Sequence, residues 1–389
     1  MPFAAAISTE SDSKRACGEV LAAARHSVPN PDLAILFVSP HHLPDIIPDL
    51  VSLKATLGVS AMIGCVGEAI VGGTAEIELE PALTLWLGSW NSRANVEAFH
   101  LMPSRTPDGW SLLGWPDALL DGVSSTASML ILGDPYTFPA DQLFLPRINE
   151  DYPGLQVIGG NASGTGPGQT FLLVNERVES SGAVGVLLQG DVRMRSIVSQ
   201  GCRPIGKPLV VTRGQGAVIE QLGGMSPLDQ LRELWPQLST EDQDLVRRGL
   251  HVGIVINEYQ EKFERGDFLV RNLYGIDSNS GAMQVMDQVR VGQTVQFHVR
   301  DAASADEDLR LLLERDRQRH PVSPAAALLF TCNGRGTRLF TTPHHDAAAL
   351  HQHCGPIPLA GFFAAGEYGP VGGKNFIHGF TASVALFEE

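Results

Sequence analysis

The sequence predicts a two-domain α/β (α+β) protein built from mixed, largely antiparallel β-sheets with helices on their outer faces. Three observations carry this expectation. At 389 residues the chain exceeds one ordinary domain. Strand-length apolar runs recur in the order β-α-β-β, which is the mark of an internal repeat. The connections after the second strand of each unit are short and glycine-rich, which favours antiparallel neighbours over a doubly wound parallel sheet.

The first unit opens with Leu33-Ala34-Ile35-Leu36-Phe37-Val38 and continues through a helical segment near 41–58. It returns as "AMIGCVGEAIVGG" and ends in the alternating run "EIELEPALTLWLGSW". "SMLILGDP", a helical stretch near 139–151, "LQVIGGNASG" and "QTFLLVNERV" repeat this order, keeping the glycines but lacking the Glu. A looser unit follows. "LVVTRGQGAVIEQLGG" reads as a hairpin, and "SPLDQLRELWPQL" and "STEDQDLVRRGL" read as helices capped by Ser226 and by Ser239 or Thr240. "HVGIVINEY" returns to strand, and "GDFLVRNLYGID" and "VRVGQTVQFHVRD" are further paired strands around the turn "DSNSG". Residues 301–320 form a charged helix docked by Leu309, Leu312 and Leu313. The last unit is "ALLFTCNGRG", a helix near 344–354, "GFFAAGEYGPVGG" and "TASVALFEE". Pro, Gly and charge interrupt the apolar pattern at "CRPIGKP" and "RGQG". The expected division is an N-terminal extension over 1–32 and two domains over 33–215 and 216–389.

Composition narrows the function. A net charge of −15 repels phosphate backbones, and no basic stripe with interleaved aromatics offsets it, so nucleic acid is not an expected partner. The N-terminus lacks the pattern of a secretory signal, and no apolar stretch reaches the ~20 residues that span a bilayer. No membrane association is expected, and the expected location is cytoplasmic. The cysteines at 17, 65, 202, 332 and 354 are odd in number and well separated, which argues against both a disulfide framework and a zinc knuckle. "GGNASGTGPGQT" fits neither a P-loop nor a dinucleotide-binding fingerprint, and no cofactor is expected. His344 and His351 lie two helical turns apart, roughly 10 Å, too far to share one ion, so no metal site is expected.

Seven blocks then stand in order between Ile63 and Phe387, within a likeness that runs from about Leu33 to Phe387: "IGCVGEAIVGG", "VIGGNASG", "VSQGCRPIGKP", "LHVGIVINE", "GDFLVRNLYGID", "LLFTCNGRG" and "GFFAAGEYGPVGGKNFIHGFTASVALF". Together they resemble the FIST family, the paired FIST_N and FIST_C sensory domains of F-box and intracellular signal transduction proteins. The resemblance implies a FIST_N-like domain over 33–215 and a FIST_C-like domain over 216–389. It further implies a sensory module for a small ligand, such as an amino acid, with no catalytic chemistry attached. The roughly 30 residues before the first strand are too few for an output domain, so signalling through a separate partner protein is expected.

The candidate site residues follow from side-chain chemistry. Asn333-Gly334 is a strong turn dipeptide, and with Gly336 the loop can bring backbone N–H groups close to a ligand. Arg335 offers a planar fork for a carboxylate. Glu68 and Glu367, in Gly-Glu loops of the outer repeats, could face an ammonium group or act as an acid/base couple. Arg203 in "VSQGCRPIG" is a second guanidinium, in a segment that Pro204 also suits to a rigid domain exit. His378 in "FIHGFT" is a site candidate or a packed strand-end histidine. Cys332 ends an apolar strand before a glycine turn, which is the form of a nucleophile elbow. With Arg335 as cation and His378 or His344 as base, it would make the chain a cysteine-dependent acyl-transfer or hydrolytic enzyme. The plainer reading makes it a small buried pocket-wall residue. A third reading is a protein-interaction scaffold. The leading expectation is a non-catalytic sensor in which these residues line a ligand cleft between domains.

Overall fold

The computed structural model describes residues 2–389 apart from Ser92, Asp108, Asp121 and Glu261. Two compact units divide the chain discontinuously. The first comprises Met1–Val198, Leu309–Ile377 and Thr381–Glu389, and the second comprises Ser199–Asp308 with His378–Phe380.

Residues expected as an extension instead form β1 (Phe3–Ser8) and α1 (Ser13–Ser27), and β1 pairs antiparallel with the sixth strand. Asp12 caps α1 by accepting the Arg15 N–H at 2.8 Å, and Ala16, Val20 and Ala24 form its buried face. The first repeat is β2 (Leu33–Val38), α2 (Ile47–Leu57), β3 (Ala61–Val66), the hairpin β4 (Ala69–Gly72) and β5 (Ala75–Glu78), and β6 (Leu83–Gly88). Next come β7 (Ala94–Thr106), β8 (Gly109–Leu113) and the short α3 (Asp117–Leu120). The second repeat is β9 (Ser128–Gly133), α4 (Leu145–Asp151), β10 (Gln156–Asn161), the hairpin β11 (Leu172–Val174) and β12 (Arg177–Glu179), and β13 (Ala183–Gly190), followed by β14 (Met194–Gln200).

The intervening segment holds β15 (Cys202–Gln215), β16 (Val218–Leu222), α5 (Pro227–Leu234), α6 (Thr240–Arg248), β17 (Leu250–Val255), β18 (Phe268–Ile276), β19 (Met283–Val285), β20 (Thr294–Arg300) and α7 (Ala302–Arg319). The third repeat is β21 (Ala326–Cys332), α8 (His345–Cys354), β22 (Leu359–Ala364), the hairpin β23 (Glu367–Val371) and β24 (Lys374–His378), and β25 (Thr381–Phe387).

In each repeat the first two strands are parallel, because a helix carries the chain across, and the last strand returns antiparallel to the first. The central strands read as unbroken apolar runs, and every residue of Leu33–Val38 is buried. The hairpins do not stay in the sheets of their own repeats. β4–β5 extends β22 of the third repeat, β11–β12 extends β3 of the first, and β23–β24 extends β10 of the second. The exchange is cyclic, and its register repeats: Ile70 opposes Phe362, Leu173 opposes Gly64 and Tyr368 opposes Gly159, in each case the fourth residue of the receiving strand. The first unit is therefore a pseudo-threefold assembly of three sheets around one core. Phe37 lies 5.0 Å from Phe362 and 6.1 Å from Phe330 between ring centroids, with Leu130 and Ile158 of the second repeat in the same cluster.

The looser unit of the sequence is not another β-α-β-β repeat. Its strands close a barrel in the order β15-β16-β19-β18-β17-β20, and every neighbouring pair is antiparallel, so none needs a helical crossover. Val211, Ile219, Val252, Ile254, Met283 and Phe297 belong to its core. Ser226 and Ser239 cap α5 and α6 as expected, accepting N–H groups at 3.1 and 3.0 Å. Among the described residues no helix is long and apolar enough to cross a membrane.

Candidate functional site

Open α/β sheets place ligands in the crevice beyond the carboxyl ends of parallel strands. The first unit has three such crevices, one per repeat, and their turns are tied together. The Gly67 N–H donates to the Val38 carbonyl at 2.9 Å, and the Ala162 N–H donates to the Gly133 carbonyl at 2.8 Å, the same bond in two repeats. Between repeats, the Glu68 N–H donates to Ser163 Oγ at 2.8 Å and the Ala365 N–H donates to the Asn161 carbonyl at 2.9 Å. The Ser163 hydroxyl donates to the Phe363 carbonyl.

The third-repeat crevice is filled by the chain itself. Arg335 is fully buried, and its Nε and Nη2 each donate to an Asp346 carboxylate oxygen at 2.7 Å. Thr331 donates to the same carboxylate at 2.6 Å and His345 Nδ1 lies 2.9 Å from it. Burial alone would raise the pKa of Asp346, but the Arg335 charge and these hydrogen bonds outweigh it and hold the carboxyl well below its usual range. The His345 ring stacks on Phe340 at 3.5 Å, and the Arg335 guanidinium lies 5.2 Å from the Phe340 ring centre. Glu76 accepts the Ala347 N–H at 2.8 Å in the first turn of α8. Burial, then the neighbouring Asp346 charge, pushes Glu76 up to about 8. Glu367 accepts the Thr381 N–H at 3.1 Å and its hydroxyl at 2.7 Å, and burial raises it to about 8 as well.

The second-repeat crevice is also filled. Asp134 is fully buried and accepts Thr170 at 2.6 Å and Thr137 at 2.5 Å, while the Tyr368 hydroxyl donates to Asn161 Oδ1.

The first-repeat crevice is open, with a volume of about 940 Å³. Pro40, Leu43, Pro44 and Leu79 give it apolar walls, Glu68 and His41 give it polar ones, and the glycine loop over 164–169 borders it. Gly164 has φ +80, and a Cβ there would lie 2.9 Å from both the Glu68 Cα and Pro40 Cγ, so the loop can approach this closely only as glycine. Leu79 is 82% exposed with φ 64, a left-handed conformation that branched apolar residues seldom adopt. Glu68 pairs with Arg338, whose Nη1 also donates to the Asn333 carbonyl at 2.7 Å. Thr337 adds two bonds to Glu78, at 2.9 Å from its N–H and 2.7 Å from its hydroxyl. The loop over 333–338 is thus held against the β4–β5 hairpin.

Several expected site residues meet in the first unit, in altered roles. Cys332 is buried, with Sγ 3.9 Å from Asn333 Oδ1. The Asn333 N–H donates to the Ala364 carbonyl at 2.9 Å at the end of the β21–β22 ladder, and the Arg335 N–H donates to the Cys332 carbonyl at 2.7 Å, closing the turn around Gly334. Arg335 is not the open fork that its loop position suggested, because a desolvated guanidinium requires a matched carboxylate and Asp346 supplies it. Gly336 has φ +57, and a Cβ there would lie 2.6 Å from Glu78 Oε1 and Phe363 Cε2, so it shapes the turn. Glu68 and Glu367 are not equivalent. With Ile70 matching Tyr368, Glu367 takes the place of Ala69 and enters the sheet, whereas Glu68 stays in the turn. Arg203 and His378 belong to the second unit. Arg203 Nε donates to Asp301 at 2.9 Å and its Nη2 pairs with Asp242, so its fork is occupied internally; His378 is the buried last residue of β24. Among the described residues no group of three or more His, Cys, Asp or Glu side chains could hold a metal ion.

Sequence reasoning missed Asp346, Arg338, Glu76 and Glu78. Asp346 stood in "HHDAAALHQHC", where the histidines drew attention although an acid in a helical first turn was the stronger signal. Arg338 was the second arginine of "NGRGTR".

Two outcomes follow. Asp346→Asn leaves Arg335 buried without its counter-charge and should cost about 3–5 kcal/mol in chemical denaturation; a loss under 1 kcal/mol would show that the pair is not the plug described here. Glu76 and Glu367 bind protons more tightly folded, at about 8, than at their ordinary 4.5, so their contribution is complete below about pH 4.5 and is lost as the pH rises through about 8. Denaturation midpoints should fall across that window, and Glu76→Gln, neutral throughout, should flatten part of the slope.

The chain matches the FIST N domain over residues 32–225 and the FIST C domain over residues 227–370. FIST domains are associated with sensory roles in signal transduction. The uncharacterized protein Rv0628c of Mycobacterium tuberculosis is 46% identical over 390 residues, covering all of both chains. The uncharacterized protein Mb0898c of Mycobacterium bovis is 44% identical over 390 residues, covering all of this chain and 99% of its own. With both domain matches in sequence and relatives aligned from end to end, this chain belongs to the FIST family.

Proposed function

We propose that the chain is a cytoplasmic sensory protein that binds a small zwitterionic metabolite, such as an amino acid, in the open crevice of the first repeat. One observation carries this reading: of three equivalent crevices, two are filled by buried side chains of the chain itself and the third is a cleft of about 940 Å³. Energetics selects the ligand-holding groups. Removing one partner from a buried ion pair such as Arg335–Asp346 costs about 3–5 kcal/mol, whereas an exposed pair contributes only about 0–1 kcal/mol. Glu68 and Arg338 form such an exposed pair, with side chains 28% and 52% accessible. A zwitterion can exchange for it, its ammonium on Glu68 and its carboxylate on Arg338, while Pro40, Leu43 and Leu79 cover its apolar part.

The same exchange supplies a signal. Glu68–Arg338 is one of the ties holding the loop over 333–338 to β4–β5, and a ligand that takes both groups loosens that tie. A separate partner protein that reads the loop would be the output.

A thermal-shift and calorimetric screen of metabolites should find stabilisation by a compound carrying both charges. Glu68→Gln and Arg338→Gln should each weaken its binding by about 10- to 100-fold. No stabilising metabolite, or undiminished binding by both variants, would contradict the assignment.

A further inference from the structure

The barrel carries a depression on its outer face, wholly within the second unit. Its volume is about 650 Å³, and it lies across β15, β16, β19 and β18, which are consecutive neighbours in the barrel. One row of paired residues forms the floor: Gln284 on β19 stands between Val218 on β16 and Gly275 on β18. That row faces outward, because the alternating residues Ile219, Met283 and Val285 belong to the barrel core.

Two walls are set by β-bulges. Between Leu273↔Val285 and Gly275↔Gln284, β18 advances two residues against one on β19, so Tyr274 is the extra residue. Between Arg213↔Gln221 and Gly214↔Ile219, β16 advances two against one on β15, so Glu220 is the extra residue. Bulges re-aim side chains, and these two bring an aromatic ring and a carboxylate to the same depression. Glu220 pairs there with Arg213, and their side chains are 40% and 63% accessible. The third wall is the turn after β18. Asp277 accepts the Ser280 and Asn279 N–H groups at 2.9 and 2.7 Å, which hold its carboxyl below the usual carboxylate range. This turn is anchored to α5, since the Leu228 N–H donates to the Gly281 carbonyl at 3.2 Å.

Two of the residues around the depression work against folding. Tyr274 is 68% exposed, which leaves its ring in water. Gly275 sits inside a strand without a left-handed φ, and nothing lies within 4 Å of the position that a Cβ would take. Neither backbone conformation nor crowding requires glycine there, and a glycine inside a strand weakens it. What the missing side chain supplies is open space beside an aromatic face.

We infer that the depression is a second ligand site and that it takes a saccharide, a pyranose ring whose C–H face lies on Tyr274 above Gly275. The polar rim selects this class. A hydroxyl both donates and accepts, and here Arg213 and Gln284 supply donors while Glu220 and Asp277 supply acceptors. An anion would meet two carboxylates on a chain of net charge −15, and a cation would meet the Arg213 guanidinium. An apolar ligand would find little beside the ring except Val218, Ile276 and Ala282.

Saturation-transfer NMR on the full chain with D-glucose, D-galactose, D-mannose and N-acetyl-D-glucosamine tests the assignment. At least one sugar should receive saturation at its ring C–H protons. Tyr274→Ala and Gly275→Phe should each weaken its binding by about 10-fold or more, with an unchanged thermal midpoint. Should one variant fail to fold, the other decides, since the first removes the platform and the second fills the space. Saturation of none of the four sugars overturns the inference, as does sugar binding that a folded variant leaves unchanged. Adenosine or spermidine bound in a Tyr274-dependent way, without any sugar, overturns it in favour of a nucleobase or a cation.

Discussion

The outer neighbour of each repeat's second strand comes from a different repeat, and the architecture of the first unit rests on that constraint. β3, β10 and β22 each expose a parallel-strand edge that their own repeat leaves open, and the hairpins β11–β12, β23–β24 and β4–β5 close these edges in a cycle. A repeat that unfolded alone would bare an edge in a second repeat and withdraw its own edge from a third. The exchange also fixes the turns at 67–68, 162–164 and 365–366, through which the chain crosses between sheets. Those turns set the crevices beyond the parallel strands, so the constraint that closes the sheets also builds the sites.

From this common frame the three crevices diverge through side chains alone. The third repeat fills its crevice with a guanidinium and a carboxylate at full burial, a pair that two 2.7 Å hydrogen bonds, Thr331 and His345 make tolerable. The second repeat uses Asp134 with two threonines, and Tyr368 from the exchanged hairpin. The first receives only a glycine loop from its neighbour and stays open. Acids of the β4–β5 hairpin and its preceding turn face the third repeat: Glu76 at α8, Glu78 at Thr337 and Glu68 at Arg338. Glu76 is buried, whereas Glu78 and Glu68 are only partly covered, so disturbing either of the last two costs less than disturbing Glu76.

Much of the fold was legible because hydrophobic period and turn chemistry are local. The runs "LAILFV", "SMLILG" and "AALLFTC" gave the first strands of the repeats, and the Ser caps gave the barrel helices. The cyclic exchange was not legible, because a hairpin such as "AIVGGTAEIE" has the same pattern whichever sheet receives it. The linear order also hid that β21–β25 rejoins the first two repeats across the intervening barrel. In the site, the loop around Cys332 and Arg335 was read as a turn that holds a ligand. Its polarity was misjudged because a guanidinium beside two glycines looks exposed until its carboxylate, eleven residues on in a helical first turn, is placed against it. The one-residue offset between Glu68 and Glu367 could be seen only from strand register.

Native-state hydrogen exchange resolved to individual amides tests the interlocked arrangement most directly, because it reads the opening free energy of each strand separately. The most protected amides of β2–β3, β9–β10 and β21–β22 should share one opening free energy, and those of the three exchanged hairpins should follow the strands that receive them. A third repeat that opens at a lower free energy while the first two stay protected would contradict the account.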